Sequence, residues 1–163
     1  MNKRGVKIAV LILLFLFTFC QPAAAYNPYD LFGHGNCAYF CYDMMVLFWP
    51  EAFEVRRWWD AKDWVQLDDM EQGEYQAELV SLSGVKFRDF IIIPGSKRGR
   101  YGHVCFVLTV VSDSHTVTVA ESSNFADAKK YPYVYNNCRF RIYNYSLNYL
   151  KERGARVLTY HKI

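Results

Sequence analysis

The sequence contains no internal repeat, no low-complexity tract and no proline-, glycine- or serine-rich segment that resembles a linker. These absences leave no boundary at which a second domain would begin. Residues 26–163 are numerous enough for one ordinary domain with its own hydrophobic core. We therefore predict one domain over residues 26–163.

Beyond residue 25 the chain also lacks an excess of charge of either sign. Three of the 19 lysines and arginines, Lys3, Arg4 and Lys7, lie before that point, and the remaining 16 balance the 16 acidic residues. Nucleic-acid binding depends on clustered cations that neutralise phosphates. The balance therefore argues against a nucleic-acid partner, and the short basic cluster 97–100 is interpreted as a solvated loop.

No apolar run in the sequence reaches the ~20 residues that span a bilayer. The longest, Ile8–Cys20, has 13 residues, follows a basic segment and precedes three alanines that end at Ala25. This order is typical of a cleavable signal peptide. A membrane anchor and lipid attachment at Cys20 are the alternatives. We predict cleavage after Ala25, a secreted protein and no stable membrane anchor after cleavage.

Cysteine is scarce after residue 25, with Cys37, Cys41, Cys105 and Cys138 as the complete set. In an exported chain four cysteines are compatible with two disulfides, so a structural bridge is one interpretation of Cys37. A zinc site built from Cys37, Cys41 and His103 is another, but no second paired motif completes four ligands. We predict neither a metal nor another cofactor.

The residues that are present predict an α+β fold. Cys37–Phe48 is apolar or aromatic almost throughout and free of glycine and proline, which favours a buried helix with Asn36 as its N-cap. A shorter helix is predicted over Asp60–Asp69. The strands that follow favour helices packed on one face of an antiparallel sheet. They are predicted at Phe90–Ile93, Gly102–Val111, Thr116–Ala120, Cys138–Tyr145 and Arg156–Tyr160.

Three reactive side chains occupy suitable positions in these elements. Cys37 lies in the first turn of the helix, where unpaired backbone N–H groups favour a thiolate. His103 begins a strand and can act as its base, and Glu121 ends the next strand, where a hairpin would place it beside His103. The backbone N–H of Cys37 and the side chain of Asn36 are the candidate oxyanion donors.

The chain resembles the cysteine, histidine-dependent amidohydrolase/peptidase (CHAP) domains at four ordered motifs. These are Gly35–Phe40, Trp58–Trp64, Tyr101–Val104 and Ala120–Asn124. The resemblance implies a papain-like fold and assigns Cys37 as nucleophile, His103 as base and Glu121 as the acid that orients it. It also implies that the substrate is an amide bond in bacterial peptidoglycan, cleaved by an endopeptidase or an N-acetylmuramoyl-L-alanine amidase.

The chain departs from the family pattern at several positions. Asn124, a candidate supporting residue, follows Glu121 by three residues instead of two, and Tyr39 replaces the tryptophan that usually follows the nucleophile. Trp59 stands where glycine is common. Tyr39, Trp59 and Trp64 are the candidate groove residues, so the details of substrate binding do not carry over from the family.

One prediction goes beyond the resemblance. Cys41 lies one helical turn after Cys37, and Cys105 lies two strand residues after His103, steps of about 6 Å and roughly 6.6 Å. If the face of the strand that carries His103 packs on the helix, Cys41 and Cys105 meet beneath the cleft. We predict a disulfide between them, with Cys138 as the odd thiol.

Two other functions use the same fold. One is a non-catalytic module that binds the cell wall, and the other is a toxin-like effector that acts on a different amide. The intact set of Cys37, His103 and Glu121 argues against the first, whereas the second differs only in loops that choose the substrate. A monomer is expected.

Overall fold

An antiparallel sheet forms the framework of the protein. The computed structural model describes residues 27, 29, 36–49, 60–96, 100–123, 128–135 and 138–163. The predicted signal peptide, Trp59 and Asn124 lie outside the described residues. Within the described part of the chain, no helix is long and apolar enough to cross a membrane.

The sheet has eight strands in the order β1-β2-β8-β3-β4-β5-β7-β6, and every neighbouring pair is antiparallel. The predicted α+β class is confirmed. The strands are β1 Glu71–Gln72, β2 Tyr75–Val80, β3 Phe90–Ile93, β4 His103–Val111, β5 Thr116–Ser122, β6 Tyr133–Tyr135, β7 Cys138–Ser146 and β8 Arg156–Lys162.

Helix α1 spans Cys37–Phe48, as the sequence predicts. Asn36 is its N-cap, because the Asn36 side chain accepts a hydrogen bond of 2.6 Å from the backbone N–H of Tyr39. The helix ends at Trp49, directly before Pro50 in the sequence. Six of its twelve residues are buried and the other six are half-buried, and the helix packs mainly on β4 and β5 of the sheet.

The two faces of the sheet bury different kinds of side chain. The face that carries α1 is rich in aromatic rings, and Phe48 stacks on Phe106 with ring centroids 5.1 Å apart. The opposite face is mostly aliphatic. Successive residues of β4 alternate between the two, so that Val104 and Phe106 face α1 while Cys105 and Val107 face away.

Several elements differ from those that the sequence predicts, including the short strands β1 and β6, which were not predicted. The second helix is a 3-10 helix over Ala61–Leu67, shorter than the predicted α-helix. Strand β2 was not predicted, because its residues are mixed in polarity and it pairs near the edge of the sheet. A short helix, α2 Leu147–Glu152, also follows β7, capped by the Ser146 hydroxyl.

Candidate active site

Cys37 is the first residue of α1 and is half-buried. Burial alone would raise the pKa of its thiol. A hydrogen bond from His103, the charge of that imidazole and backbone hydrogen bonds from Val104 and Ala38 together lower the pKa below its ordinary value. The first turn of the helix therefore holds a thiol that ionises easily.

His103 is the first residue of β4 and follows a glycine in a left-handed conformation. Gly102 has φ +73°, a region that L side chains rarely adopt. A Cβ atom at this position would lie 2.8 Å from the carbonyl oxygen of Ile93 and 2.9 Å from Cβ of Lys62. The backbone before His103 is therefore packed too closely for any other residue, which fixes where the imidazole begins.

His103 and Glu121 form a direct ion pair across the β4–β5 hairpin. The Nε2 atom of His103 lies 2.7 Å from Oε2 of Glu121, whose side chain is only 1% exposed. The register, with Phe106 opposite Ala120, places both residues at the same end of the two strands. Since Nε2 binds Glu121, Nδ1 is the ring nitrogen left for the thiol of Cys37.

Two residues of β7 complete the surroundings of Glu121. Arg141 is directly opposite Glu121 in the β5–β7 register, and its Nε donates a hydrogen bond of 2.7 Å to Oε1. The Tyr145 hydroxyl donates one of 2.9 Å to Oε2. Sequence reasoning missed both, although an arginine inside an aromatic strand was a usable signal because buried arginines normally have an anionic partner.

The charges of the site stabilise one another. Burial would lower the pKa of His103, but its hydrogen bonds to Cys37 and Glu121, and their charges, outweigh burial and raise it to about 10. Burial would raise the pKa of Glu121, but His103, Arg141 and Tyr145 lower it. These shifts favour a thiolate and an imidazolium over the neutral pair, beside a carboxylate that stays ionised.

This arrangement has the parts of a nucleophilic catalyst. The thiolate can attack a carbonyl, the imidazolium can protonate a leaving group, and the carboxylate orients the ring. Asn36 uses its side-chain oxygen as the helix cap, so its NH₂ group is the part of this side chain that could donate to an oxyanion. The predicted residues Cys37, His103, Glu121 and Asn36 thus lie within one constellation.

Two of the three predicted groove residues, Tyr39 and Trp64, are buried in the core. Trp64 has 0% exposure and donates its indole N–H to the Tyr29 hydroxyl at 2.9 Å, so it is a core residue. Tyr39 is also buried in the aromatic cluster beneath α1. This part of the prediction was wrong, because a large ring next to the nucleophile in a buried helix packs inward. Trp59 and Asn124 lie outside the described residues.

The predicted disulfide between Cys41 and Cys105 is not formed. All four cysteines of the described residues are free thiols. Cys41 packs in the cluster beneath α1, whereas Cys105 lies in the cluster on the other face and donates to the carbonyl of Ile91. The prediction assumed that Cys105 follows His103 onto the helix, but of the two only His103, at the start of β4, reaches α1, and Cys105 packs with Val107 in the opposite cluster.

The remaining thiols and acids do not gather elsewhere. Cys138 is buried in β7 and donates to the Ser122 hydroxyl at 3.1 Å. In the portion of the chain that the structure describes, no group of three or more histidine, cysteine, aspartate or glutamate side chains could hold a metal ion.

Comparisons with known proteins give one family match. The family model of the CHAP domain matches residues 26–123. No curated protein matches the chain. Among solved structures the chain is similar to Ly7917 at 15% identity and a TM-score of 0.46, with 75% of this chain and 52% of that chain covered.

A second structure, Ly7917 with the hydrolyzing product of MDP, is also 15% identical. Its TM-score is 0.37, with 60% of this chain and 37% of that chain covered. The chain thus spans about half the length of the solved protein that it resembles.

Proposed function

The chain belongs to the CHAP-domain family, and we propose that it is a secreted hydrolase that cleaves an amide or peptide bond of bacterial peptidoglycan. Members of this family are amidohydrolases and peptidases, and the enzyme class predicted from the sequence agrees with this membership. The observation that carries the proposal is the chain of hydrogen bonds from Cys37 through His103 to the buried carboxylate of Glu121.

In the first half of the reaction the Cys37 thiolate attacks the carbonyl carbon of the scissile amide, and a C–S bond forms. The backbone N–H of Cys37 and the NH₂ group of Asn36 are the donors for the resulting oxyanion. Nδ1 of His103 gives its proton to the leaving nitrogen, the C–N bond breaks and a thioester remains on Cys37.

In the second half, water attacks the thioester carbon and gives a proton to Nδ1 of His103. The C–S bond breaks, a carboxylic acid leaves, and the thiolate and imidazolium are restored. Throughout, Glu121 accepts the hydrogen bond from Nε2 and fixes the ring, which is the orienting role of a third triad member.

The proposed location follows from residues 1–25. The basic start, the apolar run Ile8–Cys20 and the small residues that end at Ala25 support export and cleavage by signal peptidase. Export would bring the domain to the peptidoglycan layer, the substrate class proposed for it. The balanced charge after residue 25 adds little electrostatic attraction to anionic wall polymers, so contacts near the thiol would have to select the substrate.

The test is digestion of purified peptidoglycan by residues 26–163, with Cys37→Ala as the matched inactive variant. We expect soluble fragments from the wild type and at least about 10⁴-fold less from Cys37→Ala. Mass spectrometry of the fragments identifies the new termini. New termini within the stem or cross-link peptides, with the bond between sugar and stem intact, would identify an endopeptidase. A free lactyl carboxyl on the sugar together with a new amino terminus on the first alanine of the stem would identify an amidase. Equal release by both proteins would reject thiol catalysis.

A further inference from the structure

Glu121 has more partners than an orienting carboxylate requires. Its Oε2 accepts hydrogen bonds from His103 and from the Tyr145 hydroxyl, and its Oε1 accepts from Nε and Nη2 of Arg141. Four donors therefore saturate a side chain that is 1% exposed. A buried carboxylate remains charged only when such donors replace water.

Every element packed around Glu121 contributes titratable or charged groups. Strand β4 contributes His103 and Cys105, and strand β7 contributes Arg141 and Tyr145. Helix α1 contributes Cys37 and Cys41. Burial and the charge of Glu121 raise the pKa of Cys41, and His103 hydrogen-bonds both Cys37 and Glu121. Arg141 is the one group of this set whose positive charge is independent of pH in the working range.

Arg141 also contacts two aromatic rings. Its guanidinium lies 4.4 Å from the ring centroid of Tyr143 and 5.0 Å from that of Tyr131. The strand register sets Arg141 directly across from Glu121. Planar guanidinium groups stack on aromatic rings while they donate in their own plane, so this arginine is fixed in orientation as well as position.

We propose that Arg141 and Tyr145 are positioning residues that keep Glu121 ionised and aimed at His103 throughout the reaction. This proposal rests on the proposed function in one respect: it gives Arg141 and Tyr145 a role in the same catalytic triad. Arg141, Glu121, His103 and Cys37 form a line of alternating charge, with a cation at the end remote from the thiol. Neither positioning residue touches the reacting atoms.

The proposal explains a step at which the triad is otherwise incomplete. Once His103 has protonated the leaving nitrogen, the imidazole is neutral and Glu121 loses one of its two cationic partners. A buried carboxylate without a cation takes up a proton. Arg141 supplies the missing charge at that stage, so Glu121 still accepts from Nε2 and Nδ1 remains free to take the proton of the attacking water.

The experiment measures the ionisation of Cys37 without any substrate. Iodoacetamide labels the thiolate, and its rate at Cys37 is followed by peptide mass mapping between pH 4 and pH 9. The wild type is compared with Arg141→Met, Arg141→Lys and Tyr145→Phe. Arg139→Met is the matched control, because Arg139 lies on the same strand two residues earlier and has no ion pair within the described residues.

In Arg141→Met we expect the acid limb of the alkylation profile to move up by about one pH unit or more, since losing an adjacent arginine raises a carboxyl pKa by that order. Glu121 then protonates at a higher pH, His103 loses its partner, and the thiolate of Cys37 is lost with it. Arg141→Lys restores part of the shift, and Tyr145→Phe moves the limb by less in the same direction.

An acid limb of Arg141→Met or Tyr145→Phe that superimposes on that of the wild type and Arg139→Met overturns the proposal. If Arg141→Met does not fold, as judged by circular dichroism, Arg141→Lys and Tyr145→Phe decide the question alone. If peptidoglycan stays intact while the alkylation profile shifts, the proposed substrate is rejected and the positioning role of Arg141 and Tyr145 is supported. If the wild type releases fragments while the alkylation profiles of the variants do not shift, only the positioning role of Arg141 and Tyr145 is rejected.

Discussion

The first and second turns of α1 each carry a cysteine, and the two thiols behave in opposite ways. Cys37 is half-buried with a lowered pKa, whereas Cys41, four residues later, has 0% exposure and a pKa raised well above its ordinary value by burial and by nearby negative groups. Both lie near the positive end of one helix dipole, which falls off within a turn.

The comparison teaches that the partner decides which thiol is reactive. Cys37 has the imidazole of His103 and two backbone N–H groups, whereas the surroundings of Cys41 are apolar. Cys105 and Cys138, also buried and without an imidazole partner, have raised pKa values as well, that of Cys138 to about 11. The hydrogen bond and the charge of His103 are therefore the main causes of the lowered pKa of Cys37.

A substitution of Glu121 has the largest expected effect on the difference between the thiols of Cys37 and Cys41. Glu121→Gln keeps the shape of the side chain but removes the charge that stabilises the imidazolium, so the thiol of Cys37 should come to resemble that of Cys41. We expect peptidoglycan hydrolysis to fall on the order of a thousandfold. Fragment release per hour measures this. Near wild-type release would show that His103 alone distinguishes the two turns.

A smaller effect is the difference between the alkylation rates of Cys37 and Cys41 in the unmodified protein. At pH 7 iodoacetamide should alkylate Cys37 at least about 100-fold faster than Cys41, because only the first is an accessible thiolate. Mass mapping of a time course measures both rates in one sample. Labelling of the two thiols at similar rates would contradict the assigned ionisation states, whereas labelling of Cys41 after addition of urea serves as the positive control.

The smallest effect concerns the dependence of thermal stability on pH. The raised pKa of His103 contributes stability that is full below about 6.5 and lost as pH rises through about 10. The lowered pKa of Cys37 contributes stability that is present above about 9.0 and lost as pH falls through its lowered value. As pH rises from 6.5 towards 9.0, the contribution of His103 to stability decreases while that of Cys37 increases, so the two changes oppose each other.

The Tm of the wild type should therefore show a plateau between these limits. In Cys37→Ala the imidazolium keeps only Glu121, so Tm should begin to fall as soon as pH exceeds about 6.5, by roughly a few degrees. Cys41→Ala, which leaves the pair intact, should keep the plateau at a slightly lower Tm. A wild-type curve parallel to that of Cys37→Ala would mean that no proton passes from thiol to imidazole.

Much of the fold follows from local patterns. Helix α1 and strand β3 were predictable because an uninterrupted apolar run with an Asn cap, and a β-branched run that stops at Pro94, each have one favourable structure. Strand β2 was not, because its six residues have no consistent alternation and gain their pairing from β8, which is distant in sequence. Tertiary pairing of this kind leaves little local trace.

The site divides in the same way. The positions of Cys37, His103 and Glu121 follow from a helix start, a strand start and a hairpin end, which are local features. Arg141 depends on the register of two strands joined by a long connection, which composition does not reveal. The prediction of a Cys41–Cys105 disulfide was wrong because it placed Cys105 on the face of β4 that packs on the helix. Neighbouring strand residues face opposite sides of the sheet, so a shift of one residue reverses the face.

The close packing at Gly102 has a consequence for protein engineering. A library that varies the loop before β4 to alter specificity would pass through this position, where even one added carbon meets the backbone of Ile93 and the side chain of Lys62. Most clones altered there would lose the imidazole's position before any new specificity could be scored. The varied positions are better chosen on either side of Gly102 and His103, and these two residues are best kept unchanged.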